Sequence, residues 1–436
     1  MGVARLGSAF LGRVCALEQQ LFESWFACGE NDAPLEEGDS LGDMLFELCS
    51  TMYNYLRPFL IHEVELDVLC QLIAVIQEEA AALGVGGTAA EGQSTTGKII
   101  GSVLSRLVQD AQERLIFCSI TLIRDEVEQY APTSLDLDYP QRLAATAKVA
   151  NGNGGASADA AAADAPPSEQ GELFASWYAP LRSTLMILSK IYRAVDIIVF
   201  EDLAQQAVGA CLEALQRAAQ MITANKGAVD GDLFLVKHLL VLREQLTPFD
   251  ISLSATKRRL DFAPTRGAFS RFVADRHNLF RWSAENALFT LARDGIPRVN
   301  EDRIDSKKEL EEVLKVACGR FVSHTTGTLA EPIITFNSKA RAFSASASQL
   351  GAQPFAQPER IGETLDKAAA LITDGLPKLT QSMALYLGNA VTQSILLKPV
   401  QSRTRKALQE MRETLAGLPG DFDRVLETIS KGIELA

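Results

Sequence analysis

Apolar residues that return every three to four positions, from one end of the chain to the other, predict an all-α protein. Two further observations point the same way. Aromatic residues are only 7% of the chain while Ala and Leu are abundant, a balance that favours helix over sheet. No stretch of comparable length alternates with period two, as a half-buried strand would.

Taken in order, Leu66, Leu69, Ile73 and Ile76 step by three and four, as do Leu104, Leu107, Ala111, Leu115 and Cys118. A stripe of nearly five turns runs through Leu181, Leu185, Leu188, Tyr192, Val195 and Ile198. Leu235, Leu239, Leu242 and Leu246 form another, and Leu310, Val313, Ala317 and Phe321 another. Each places its apolar side chains on one face of a 3.6-residue period. Ser40 with Asp43, and Ser306 with Glu309, fit capping boxes ahead of apolar runs. Pro132, Pro248, Pro297 and Pro332 mark stops, because proline cannot continue a helix. Asn225-Lys226-Gly227 reads as a C-terminal cap.

These signals divide the chain into an N-terminal helical bundle (1–142), a low-complexity linker (143–170), a middle bundle (171–250) and a C-terminal helical region (251–436). The linker segment VANGNGGASADAAAADAPPSEQ has almost no large apolar side chain, so nothing in it offsets the entropy of ordering. A mobile loop is expected at 81–98 and a weaker one at 338–358. No internal repeat of fixed period appears, which disfavours a regular solenoid.

At 436 residues, 47% hydrophobic and 22% charged, the chain can bury sizeable cores. No apolar run approaches the roughly 18–20 residues that span a bilayer. The N-terminus MGVARLGSAFLGRVC lacks a clear small-residue cleavage site and reads as the start of a helix rather than a signal peptide. Gly2 is followed by Leu6 where a myristoylation motif needs Ser or Thr. Seven cysteines, none paired as Cys-x-x-Cys, include Cys15, Cys49, Cys118 and Cys211 at helical period among apolar residues. They read as small buried hydrophobes in a reducing compartment. The net charge is −13, and residues 1–150, with 22 acids and 9 bases, already carry all of it. Such acidity argues against nucleic acid and against unassisted docking on anionic lipid.

Motifs for catalysis each lack a required residue. Gly92-Gln93-Ser94-Thr95-Thr96-Gly97-Lys98 begins like a phosphate-binding loop, but Ile99 stands where Ser or Thr must hold Mg²⁺, and AALGVGG precedes it instead of a strand. His62-Glu63-Val64-Glu65-Leu66 starts like a zinc-protease helix, but Leu66 replaces the second histidine. His62, His238, His277 and His324 lie far apart without suggestive neighbours, and His238, inside LFLVKHLLVLREQL, reads as a packed interior imidazole. No catalytic residue, cofactor site or metal site is therefore expected. An all-α enzyme would return only with nucleotide or metal binding lost on Lys98→Ala or His62→Ala.

Residues 251–300 are the local exception to the acidity, with nine bases against four acids. Lys257, Arg258, Arg259, Arg266, Arg271, Arg276 and Arg281 alternate with Phe262, Phe269, Phe272, Phe280 and Trp282. This stretch offers a contact for an acidic partner or a phospholipid headgroup. The competing reading is an ordinary solvated face over a Phe-rich core, since the bases are spread rather than clustered.

The order of segments resembles the C-terminal half of the third subunit of the conserved oligomeric Golgi complex, a multisubunit vesicle tether. The matching stretches are 52–76, 109–143, 177–203, 230–249, 305–318 and 376–400. The most specific is Asp230-Gly231-x-Leu233-Phe234-Leu235-x-Lys237-His238-Leu239-Leu240-x-Leu242-Arg243-Glu244-Gln245. Leu135-Asp136-Leu137-x-Tyr139-Pro140 and Trp177-Tyr178 agree in order. The resemblance implies an elongated rod of stacked helical bundles and a non-enzymatic scaffold, peripheral on the cytosolic face of the Golgi membrane. It implies sister subunits, SNARE proteins and small GTPases as partners in retrograde intra-Golgi transport. In the family a long N-terminal region, largely coiled coil, comes before this part. The alternative is an unrelated compact helical adaptor that binds one partner in a groove.

Overall fold

The computed structural model describes residues 2–26, 38–82, 95–150, 176–249, 254–261, 298–343, 353–416 and 422–435. Apart from one two-stranded ribbon, the described body is helical, as the periodicity predicts. Helices α1 (Gly2–Phe26), α2 (Gly38–His62), α3 (Leu66–Ala82) and α4 (Thr95–Ile123) form a first layer. Its core takes Leu11 and Cys15 from α1, Leu45 and Cys49 from α2, Leu69 and Ile73 from α3, and Leu107 and Leu115 from α4. Helix α4 widens into a π-helical turn at Arg124–Glu128, and α5 (Gln141–Ala150) follows a turn with a cis Tyr139–Pro140 bond.

The second layer is α6 (Ala179–Ile191), α7 (Ile197–Lys226) and α8 (Ala228–Leu246). Helices α3 and α4 pack on α6 and so join the first layer to the second. The third layer is α9 (Ser306–Leu329), α10 (Glu331–Ala342), α11 (Pro358–Tyr386), α12 (Ala390–Leu415) and α13 (Asp423–Leu435), with α9 and α11 laid on α8. Layers thus follow one another in space as they do in the chain. Helix α8 lies between two layers. Accordingly its first half buries residues on every side, through Leu233, Phe234, Leu235 and Val236, and its later turns keep Leu239, Leu242 and Leu246 inward.

One element is not helical. Strands β1 (Ser254–Asp261) and β2 (Arg298–Asp305) pair antiparallel beside α7 and α9. Period-two alternation is absent there, so periodicity gave no sign of the ribbon.

Several boundaries differ from the sequence expectation. The stripe from Leu181 to Ile198 is two helices, not one. The chain turns at 192–195, and Asp196 restarts a helix by accepting from Ile198 N–H at 3.0 Å. Ile198 is consequently exposed rather than part of the core. Helix α2 starts at Gly38, so Ser40 lies in its first turn and is not its cap. Ser306 does open α9, but its buried hydroxyl donates across the layer to the Gln205 carbonyl at 3.4 Å. The expected loop at 81–98 is helical at both ends, and its residues 83–94 lie outside the described residues. Residues 143–150 of the expected linker belong to α5, which buries Leu143, and 338–342 belong to α10. The cap at Gly227 is as expected: φ is +126°, a left-side value only glycine adopts freely, and one residue closes α7 and opens α8.

Candidate interaction surfaces and the interlayer joint

The residues that begin like a zinc-protease helix have other duties. His62 ends α2, exposed. The Glu63 carboxylate accepts the N–H groups of Val64 and Glu65, at 2.9 and 3.0 Å, ahead of α3. A carboxylate at this place satisfies donors that the first turn leaves unpaired. Its carbonyl takes the Arg114 guanidinium at 2.8 Å. Gly97 and Lys98 lie in the first turn of α4; Gly92 to Ser94 lie outside the described residues.

Of the basic stretch, Lys257, Arg258 and Arg259 lie on β1, while Arg266, Arg271, Arg276 and Arg281 lie outside the described residues. The strand register sets Lys257 opposite Asp302 and Arg258 opposite Glu301.

The three most specific sequence elements meet in one place. Tyr139, from the turn after Leu135, lies edge-on to Phe234 of α8 with ring centroids 4.8 Å apart. Tyr178, at the start of α6, lies edge-on to Phe234 at 5.6 Å. Such edge-to-face contacts add to the burial of the rings. His238 sits one turn beyond Phe234, fully buried. Its Nδ1 is 2.7 Å from the Phe234 carbonyl and its Nε2 is 3.1 Å from Tyr178 N–H. A carbonyl accepts and an amide donates, so the ring is neutral with its proton on Nδ1. Burial, with Lys237 next to it, pushes its pKa down to about 3. The imidazole thus anchors the free N–H of a helix start, as a packed interior histidine.

The turn before Tyr139 is held by Asp136. Its carboxylate accepts from Tyr130 Oη and Thr133 Oγ1, each at 2.7 Å, and from Thr133 N–H at 3.0 Å.

Helix α8 also fastens the third layer. Asp232 is buried, and its two oxygens lie 3.2 Å from Arg320 Nη2 and 2.6 Å from His324 Nδ1, both on α9. His324 therefore does have a charged neighbour, which sequence spacing across 92 residues does not reveal. Tyr386 of α11 donates to Asp230 at 3.3 Å, and its ring stacks on Tyr139 at 6.4 Å. The motif beginning at Asp230 is therefore a joint: its acids face the third layer, and Phe234 and His238 face the second.

Lys237 is the exception inside this motif. No carboxylate lies within ion-pair reach of it among the described residues, and burial, then the nearby Arg142, pushes its pKa down to about 8. An ammonium held there is unfavourable at neutral pH. Lys237→Met keeps the apolar stem and should raise stability at pH 7 by about 2 kcal/mol. The gain should shrink as pH rises from 8 toward 10.5, where the unfolded lysine also loses its proton. Denaturant melts of both proteins at pH 7 and pH 10.5 measure it; an equal gain at both would contradict the cause given.

Comparison with known proteins agrees with this arrangement. The profile described as conserved oligomeric Golgi complex subunit 3, C-terminal, matches residues 1–265, and that described as its C-terminal cap domain matches 313–417. The first covers the first two layers and the second falls within the third, so the acids of α8 bridge the two. Conserved oligomeric Golgi complex subunit 3 of Mus musculus and that of Homo sapiens are each 31% identical over 450 residues, covering 95% of this chain and 53% of theirs. The subunit of Saccharomyces cerevisiae is 23% identical over 378 residues, covering 76% of this chain and 45% of its own. The chain thus spans about half the length of the curated relatives it matches, and it belongs to the conserved oligomeric Golgi complex subunit 3 family.

Proposed function

We propose that the chain is a non-enzymatic part of a Golgi vesicle-tethering complex, acting as a scaffold in retrograde intra-Golgi transport. The match to the family over both of its C-terminal domains carries this reading. The stacked layers fit it physically: each layer adds length and a fresh surface, and several weak contacts acting together raise effective concentration without a deep pocket. Among the described residues no helix is long and apolar enough to cross a membrane, which accords with peripheral attachment to the Golgi, on its cytosolic face. Sister subunits are the first partners, with SNARE proteins and small GTPases beyond them. Lys257, Arg258, Arg259, Arg266, Arg271, Arg276 and Arg281 are proposed as a contact for an acidic partner.

Co-purification of the tagged chain from cells, followed by crosslink mapping, tests the reading. Recovery of sister subunits in constant proportion is expected. Recovery of none of them would sink it. Reversing Arg258, Arg259 and Arg266 to Glu should weaken one of these associations in a salt-sensitive manner; unchanged recovery would remove the basic stretch from the proposal.

A further inference from the structure

Helix α1 is apolar on two faces. One face, with Leu11 and Cys15, is buried against α2, α3 and α4. The other carries Leu6, Phe10, Leu17, Leu21 and Trp25, which are 51% to 79% exposed, with Val14 half-buried between them. At 1.5 Å per residue this second stripe runs about 28 Å, some five turns. It does not stop at α1. A Cβ at Gly7 would meet Met52 Sδ of α2 at 3.4 Å, so the Met52 side chain of α2 lies against α1 there. Beyond Met52 the same side of α2 exposes Tyr55 and Phe59, their rings 5.6 Å apart. Two adjoining helices therefore present one continuous apolar face. Folded chains seldom leave a face of that extent bare unless it binds something.

We propose that this face seats an amphipathic helix of a partner protein, one whose apolar stripe is flanked by lysine or arginine. Its length fits helix-in-groove docking, in which anchors repeat at three and four positions. Phe10, Trp25, Tyr55 and Phe59 supply the aromatic anchors that concentrate binding energy. Charge selects the partner. Helices α1 and α2 carry five acids (Glu18, Glu23, Asp39, Asp43, Glu47) against three bases (Arg5, Arg13, Arg57), and Arg5 is engaged by Glu78 at 2.8 Å. The −13 of residues 1–150 attracts basic flanks. The same charge disfavours an anionic lipid surface, which takes helices rich in Lys and Arg. It also disfavours a second, equally acidic copy.

The proposal stands on α1 and α2 alone, so its failure leaves the co-purification result untouched. The probe is a labelled synthetic helix of about 21 residues with leucine along one face and lysine at the flanks, compared with its glutamate-flanked twin. Anisotropy with the full chain should show saturable binding of the lysine peptide, at least about tenfold tighter than the twin. The double variant Phe10→Asp with Leu17→Asp should abolish it while the thermal melt stays unchanged, since both positions are exposed. Trp25→Ser, a milder change at the stripe's end, should weaken it several-fold. Equal binding of the two peptides, or binding that both variants leave intact, would overturn the proposal. So would a dimer in sedimentation that Phe10→Asp with Leu17→Asp dissolves, or binding to phosphatidylserine vesicles that the same change removes.

Discussion

Between pH 7 and pH 5 the folded chain should lose about 2 kcal/mol of stability through His238 alone. In the fold its pKa is pushed from 6.5 down to about 3, so the unfolded chain binds a proton in this window and the folded chain does not. The contribution is fully present above pH 6.5 and fades as pH falls toward 3. The cause is geometric. Protonation would put a donor on Nε2, facing the Tyr178 N–H that it now accepts at 3.1 Å, in a site with no water-facing side. Carboxylates titrate over part of the same range, so the measurement is a difference. Denaturant melts of the parent and His238→Gln at pH 7 and pH 5 should differ in slope by the amount given. The glutamine carbonyl can still accept from Tyr178 and does not titrate. Parallel pH profiles would show that His238 is not the source.

The joint around His238 explains how much of this molecule is legible from its residues. Helices were legible because burial imposes a period. The 3.6-residue stripes through Leu66, Leu104 and Leu235 all enter the core. The single stripe drawn from Leu181 to Ile198 failed because periodicity has no memory of a break: the turn at 192–195 keeps Val195 in phase with the core, and only Asp196, as a cap, reveals the restart. The ribbon of β1 and β2 was not legible, since its pairing joins segments about 40 residues apart without alternation. The interior place of His238 could be read from its apolar neighbours, whereas the pairing of Asp232 with Arg320 and His324 could not. An acid on one helix carries no mark of the base it will meet on another layer. The bare second face of α1 was present in the sequence as Leu6, Phe10, Leu17, Leu21 and Trp25, but which apolar face is covered is decided only by packing.

Gly231→Ala should lower stability by about 3 kcal/mol, at the upper end of overpacking costs, although the same exchange in an open helix stabilises by up to about 1 kcal/mol. Helix α8 crosses α7 at this residue. A Cβ there would fall on Thr223 Oγ1 and lie 2.8 Å from the Ala219 carbonyl. The hydroxyl can turn away, but the carbonyl belongs to the backbone of α7 and cannot. Gly209, in α7, has nothing within 4 Å of its Cβ position, so Gly209→Ala should stabilise and serves as the control for helix propensity. Adding Thr223→Ala to Gly231→Ala removes one obstruction and leaves the other, so the rescue should be partial. Thermal melts of the four proteins give the order: Gly209→Ala above the parent, then the double variant, then Gly231→Ala. A stabilised Gly231→Ala would mean that the helices do not cross this closely. The consequence reaches past stability. Forcing α8 from α7 displaces Asp232 and His238, one and seven residues on, and with them the contacts that hold the third layer and the start of α6. The glycine in this motif is therefore required for the stacking order itself, and every surface whose spacing that order sets depends on it.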